Sequence, residues 1–277
     1  MKLLNREQIA GMNIHYLFYS LEYFLDAQTK AGVKTIEFWP GTPHFFLSYM
    51  EYSDCKRVRK MIEEREMQVK IITPENCTYQ YQYAAQEKGQ FEKSKLYFKK
   101  ALDAGEELGV GIMAINSGWG YWNEDREEAW KRSREMLSDL AEYAQKKNIR
   151  LAMESLRPEE SNLATTVQDV KRMLDEVNHP ALKAMIDTTA MGVAGETIDQ
   201  WFDILGDDII HMHFIDGNPY GHLIWGDGNH NLQEFLEALE RNNYRGYLGQ
   251  EITAFDYFEK PDQADMKNMR AYEKFIK

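Results

Sequence analysis

Short apolar runs rich in β-branched residues alternate along this chain with longer stretches whose apolar positions recur every three or four residues. The short runs predict strands at Met12–Tyr16, Thr35–Trp39, Val69–Thr73, Ile112–Asn116, Arg150–Glu154, Ala184–Asp187, Ile209–Phe214 and Tyr247–Ile252. A helical pattern follows each of them. Phe91–Leu108 is one, ended by Gly109, and Glu127–Lys147, rich in Glu, Ala, Arg and Lys, is another. Strands that alternate with helices imply parallel pairing through right-handed crossovers. Eight such units in 277 residues predict an α/β fold, a single (β/α)8 barrel that occupies residues 1–277 as one domain. An open doubly wound sheet competes with it. Such a sheet usually carries a glycine-rich phosphate loop after its first strand, and Met12–Ser20 has none.

The apolar runs end repeatedly in polar residues. Leu151-Ala152-Met153 leads to Glu154, Met185-Ile186 to Asp187, Ile209-Ile210 to His211-Met212-His213, and Gly249-Gln250 to Glu251. In a β/α barrel the C-terminal strand ends form the active face. Strands five to eight would therefore bring carboxylate, carboxylate, imidazole and carboxylate to one mouth. Three buried carboxylates repel one another, and burial penalises each charge further. A divalent cation on Glu154, Asp187, His213 and Glu251 removes that cost. An oxygen-rich set with one nitrogen suits Mn²⁺, with Mg²⁺, Co²⁺ or Zn²⁺ as alternatives. His211 shares a strand face with His213 but lies deeper, where a hydrogen-bonded core role is expected. Asp216 either orients His213 or begins the following loop.

Composition narrows the partners. A net charge of −12 disfavours sequence-independent binding to nucleic acid, while a small anionic substrate stays open. The two cysteines, Cys55 and Cys77, lack metal-ligand spacing and are expected as free thiols in a reducing cytoplasm. The polar start, Met1 to Gln8, reads as no secretory signal, and no apolar run approaches the ~18 residues of a membrane span.

With these residues in place the chain resembles the sugar isomerase/epimerase family built on a xylose-isomerase-like TIM barrel. Within it, it most resembles the ketose 3-epimerases of the fructoselysine type. The landmarks are Ile36-Glu37-Phe38-Trp39 with Pro43-His44, Thr73-Pro74-Glu75, and Glu154-Ser155-Leu156 with Pro158 and Glu160-Ser161-Asn162. They continue through Met185-Ile186-Asp187, His211-Met212-His213 with Asp216, Gly226-Asp227-Gly228, and Gly246-Tyr247 leading to Glu251. The resemblance implies metal binding by Glu154, Asp187, His213 and Glu251, and catalysis by Glu154 and Glu251, which would shuttle protons at C3 through a metal-stabilised enediolate. It implies a sugar contact for Glu160 near the carbonyl end. Two positions depart from the ketohexose pattern. Ala190 stands where those epimerases carry a substrate-gripping His, and Pro219 where they carry an Arg. Both point away from a free ketohexose, and the alanine, which the fructoselysine type also carries, points toward a ketosamine such as fructoselysine.

The loops add aromatic and amide side chains, at Glu75–Tyr83 after strand three and Asn116–Asn123 after strand four. They suit a polyol with an apolar appendage, or else a buried cluster or a contact in a homo-oligomer. Trp39, Glu75, Trp119 and Asp216 join Glu160 as candidate substrate contacts. No basic patch for phosphate is evident, Arg157 being the nearest candidate, so a non-phosphorylated sugar is expected. The competing functions are a keto-sugar or inosose isomerase or dehydratase, an abasic-site endonuclease and a non-catalytic sugar-binding protein.

Overall fold

A computed structural model describes residues 2–47, 54–77 and 80–277. Among these, eight parallel strands close in sequence order into a barrel, β1 to β8, with β8 pairing back to β1. The strands are β1 Ile9–Met12, β2 Thr35–Phe38, β3 Gln68–Ile72, β4 Ile112–Ile115, β5 Arg150–Met153, β6 Leu182–Asp187, β7 Ile209–His213 and β8 Tyr247–Gln250. The helices are α1 Leu21–Ala31, α2 Cys55–Glu63, α3 Lys88–Leu108, α4 Arg126–Lys146, α5 Val167–Val177, α6 Thr188–Val193, α7 Ile198–Leu205, α8 Leu232–Arg241 and α9 Pro261–Tyr272. The expected (β/α)8 architecture is the one observed. No described helix is long and apolar enough to cross a membrane.

Local chemistry sets the boundaries. Ser20, Asp54, Asp125, Thr166 and Asn231 each accept a hydrogen bond from the first turn of the helix they precede. Gly109 ends α3 in the left-handed region, φ 78°. Two large apolar clusters fill the space between strands and helices. A third draws on strand residues, among them Ala10, Ile71, Ile112, Ala114, Ala152 and Met185, and fills the barrel interior.

The first strand departs from the sequence expectation. It lies at Ile9–Met12, and Ile14–Tyr16 form a single 3₁₀ turn instead. Asn13 explains the break. Its side chain donates to the Trp39 carbonyl at 2.8 Å and accepts from the Trp39 N–H at 2.8 Å, so it bridges the ends of β1 and β2 and turns the chain out of the sheet. The turn residues His15 and Tyr16 are tied elsewhere, to the buried Asp265 of α9 at 2.9 and 2.6 Å, and Gln28 of α1 donates to the same carboxylate. One carboxylate thus fastens the last helix to the first βα unit, across the seam where the barrel closes. Replacing it leaves three buried donors without an acceptor. Asp265→Ala is expected to lower unfolding stability by roughly 3 kcal/mol, read by urea denaturation.

Candidate metal centre

Two register shifts precede strand ends that carry charge. One falls between Ile36 and Glu37 against β3, the other between Ala184 and Met185 against β7. Such irregularities re-aim side chains. Beyond the second, Asp187 and His213 pair directly across β6 and β7. The result gathers Glu154, Asp187, His213 and Glu251 so that one ligand atom from each lies within 4.8 Å of every other. His213 Nδ1 is at the centre, 2.8 Å from Glu154 Oε1, 3.1 Å from Glu251 Oε2 and 3.7 Å from Asp187 Oδ2.

The other face of the His213 ring is held by Glu37. His213 Nε2 donates to Glu37 Oε1 over 3.0 Å, and His211 Nε2 donates to Glu37 Oε2 over 2.9 Å. Thr73 Oγ1 donates to the same carboxylate at 2.5 Å. Glu37 is fully buried. Burial opposes its charge, but His211 and His213 overcome that and hold it well below the usual carboxylate range. A proton kept on Nε2 makes Nδ1 the nitrogen that faces the carboxylate cluster and would supply a lone pair to a cation there. The packing permits this only because β8 carries glycine at 249. A Cβ there would lie 2.0 Å from Glu37 Oε2 and 3.2 Å from His213 Cδ2.

Charge does not balance in the protein alone. Burial, and then the neighbouring Glu251 and Asp187, push Glu154 up to about 8 despite the opposing pull of His213. Burial also raises Asp187. Burial would lower His213, yet Glu251, Glu154 and Glu37 drive it well above its ordinary value. Glu251 is the exception: burial works against its charge, but His213 and His222 hold it below the ordinary range. Asp187 Oδ1 accepts from the Ala190 N–H at 2.7 Å, whereas the buried Oδ2 has no hydrogen-bond partner. Three convergent carboxylates, one oriented imidazole and an orphaned oxygen fit a divalent cation.

Glu154, Asp187 and Glu251 open into a cavity of about 240 Å³, with His213 buried behind them. That is small beside the ~300–1,000 Å³ of sites for drug-sized ligands and suits a small polar molecule. Trp39, Glu75 and Glu160 line it, as do Glu154, Asp187 and Glu251. Arg157 lines it too, but Glu160 holds its guanidinium through two nitrogens. Trp119 and Asp216 are placed otherwise. Trp119 borders a separate cleft with Gln82, Tyr121 and Glu124. Asp216 is buried, and its carboxylate accepts from the backbone N–H groups of Gly217, Gly226, Gly228 and His230, at 2.8 to 2.9 Å. It is spent on holding the β7–α8 loop; the residue that orients His213 is Glu37. Thr78 and Tyr79 of the β3 loop lie outside the described residues.

Sequence reasoning overlooked two residues of the site. Glu37 had a visible signal, a carboxylate inside the apolar run Thr35–Trp39. His222 enters the cavity from an irregular loop, where no periodicity marks it.

The chain is similar to proteins already known. Residues 25–273 match the family model described as xylose isomerase-like TIM barrel. Fructoselysine 3-epimerase of Escherichia coli O157:H7 is 30% identical over 240 residues, 86% of each chain. D-psicose 3-epimerase of Enterocloster bolteae is 21% identical over 260 residues, 87% of this chain and 82% of that one. The solved structure of D-psicose 3-epimerase with D-tagatose from Clostridium cellulolyticum H10 superposes with a TM-score of 0.79 at 16% identity, over 97% of this chain and 99% of that one.

Two outcomes are expected of the centre. Glu37→Gln removes the charge that fixes His213 and should weaken Mn²⁺ binding about 10- to 100-fold by isothermal titration calorimetry. In the metal-free protein Glu154 and His213 keep protons at neutral pH, so Mn²⁺ must displace them. Binding should release protons, seen as a dependence on buffer ionisation enthalpy, and affinity should rise as the pH is raised toward about 8.

Proposed function

The chain belongs to the xylose isomerase-like TIM barrel family, and we propose that it is a divalent-metal-dependent epimerase acting at C3 of a non-phosphorylated ketose or ketosamine. The observation that carries this reading is the convergence of Glu154 and Glu251 on one imidazole nitrogen from β5 and β8, at the wall of a sugar-sized cavity. Epimerisation α to a carbonyl needs a carboxylate to take a proton from one face of the carbon and another to return a proton to the opposite face. Strands β5 and β8 are well separated around the rim, so their two carboxylates can flank one carbon.

Glu154, Asp187, His213 and Glu251 would hold the ion, for which Mn²⁺ is our assignment. When bound, a divalent ion supplies Lewis-acid polarisation of the C2 carbonyl, which makes the C3 proton acidic enough to remove. The protein's own residues do the rest. Glu251, held ionised by His213 and His222, is suited to accept a proton, and Glu154, whose surroundings favour its protonated form, to donate one. Epimerisation is reversible, so the roles exchange with direction. Trp39 offers a flat apolar wall, and its backbone is clamped by Asn13. Glu160 and Glu75 offer acceptors for hydroxyl groups.

The pairing of Arg157 with Glu160 supports a sugar without phosphate, because the one guanidinium lining the cavity among the described residues is already neutralised. The similarity to fructoselysine 3-epimerase favours a ketosamine, a sugar with a nitrogen substituent at C1.

Mn²⁺-loaded protein in D₂O should introduce deuterium at C3 of fructoselysine or D-psicose, followed by NMR. Glu154→Gln and Glu251→Gln should each lower turnover by at least about 100-fold. Deuterium appearing only at C1, or loss of water from an inosose, would move the assignment to an isomerase or a dehydratase.

A further inference from the structure

The β7–α8 loop delivers a side chain that the four-ligand set does not include. The loop is fixed by the four backbone hydrogen bonds to Asp216 and by an antiparallel bridge, in which Asp216 and Leu223 exchange two hydrogen bonds of 3.0 Å. Gly221, at φ 89°, turns the backbone just before His222. The His222 carbonyl accepts from the N–H groups of Thr253 and Ala254, at 3.3 and 3.4 Å, which docks the loop on the exit of β8. So anchored, the imidazole projects into the cavity wall with its side chain 10% exposed.

Its surroundings are specific. His222 Nδ1 is 3.1 Å from Glu251 Oε2, and Nε2 is 3.7 Å from Asp187 Oδ2. Neither is a good bond: Nδ1 makes no well-aligned hydrogen bond, and Asp187 Oδ2 has no partner at all. His222 also stands outside the group whose ligand atoms all lie within 4.8 Å of one another. It therefore touches two members of the ligand cluster without joining it. Carboxylate oxygens committed to a cation become weaker acceptors, so this buried imidazole needs another partner. What remains in front of it is the cavity. Of its neighbours there, the side chain of Ala190 offers no hydrogen bond.

We propose that His222 is a substrate contact that sets which sugar is held: its imidazole hydrogen-bonds a hydroxyl of the ketose beside the metal-binding carboxylates. This rests on the sugar-epimerase reading of the same site. The rigid loop places the ring before the sugar arrives, so the contact fixes the position of the sugar rather than following it.

Calorimetry on wild type, His222→Asn and His222→Phe tests it, with Mn²⁺ alone and then with D-psicose and fructoselysine added to the Mn²⁺-loaded proteins. The affinity for Mn²⁺ should fall less than that for sugar, since His222 touches Glu251 and Asp187 without completing the ligand group. Sugar affinity in His222→Phe should fall about tenfold, the worth of one hydrogen bond. His222→Asn, which keeps a donor, should lose less. Loss of Mn²⁺ affinity in parallel would place His222 in the metal shell and overturn the proposal. Unchanged sugar affinity, or equal loss in both variants, would reduce His222 to packing and overturn it as well. Binding is read without turnover, so a wild type that binds a sugar but leaves its C3 hydrogen in place sinks the epimerase reading alone. A wild type that binds neither sugar sinks both.

Discussion

Burying three carboxylates around one imidazole is the constraint on which the site depends. Glu154, Asp187 and Glu251 arrive from three strands at a point where little of any of them is exposed and water screens them weakly. A protein could neutralise them with a lysine or an arginine. This one instead offers the single imidazole of His213, whose one positive charge cannot balance three negative ones. Such a cluster is tolerable when protons or a cation share it, and it discriminates between the two by pH. The wish for positive charge is thus built into the folded barrel rather than added by a flexible side chain.

That arrangement reaches below the mouth. His213 can offer Nδ1 only while Glu37 holds Nε2, and Glu37 can approach only because residue 249 has no side chain. Glu37 is itself held by His211 and Thr73. A chain of contacts therefore runs from β3 through β2 and β7 to the cluster, all of it inside the closed barrel. Rigidity follows from closure: no member can rotate away without leaving a buried charge unpaired. The loops above the barrel carry less of this load.

The barrel and the four-residue cluster were legible in the sequence because both depend on local pattern. An apolar run ending in a charged residue marks a strand end whether or not its partners are known, and four such ends in succession mark a mouth. The first strand was misread because Met12, Ile14 and Tyr16 alternate as a strand would. What turns the chain at Asn13 is a bond to Trp39, 26 residues away. Asp216 sat three residues beyond His213, so sequence proximity suggested an orienting partner; the partner, Glu37, is 176 residues distant. Trp119 shows the same limit. Aromatic content announces a surface to be covered, but the direction of a loop is set by tertiary contacts that leave no period in the chain.

His222 belongs to this less legible layer, and the contrast with His213 is physical. His213 is positioned by a strand, whose alternation and end are written in its neighbours. His222 is positioned by a carboxylate that collects four backbone N–H groups from residues 217 to 230, a device that prescribes small residues and turns but no hydrophobic pattern. A strand fixes where the charge cluster sits relative to the barrel, and this changes little while the barrel remains closed. A loop built on Asp216 can exchange the residue at its tip without disturbing those bonds, because they use the backbone. The fold therefore separates two tasks: the barrel holds the charge cluster, and the loops decide what approaches it. The residues that face the cavity from the loops must therefore be read from each chain rather than carried over from its relatives.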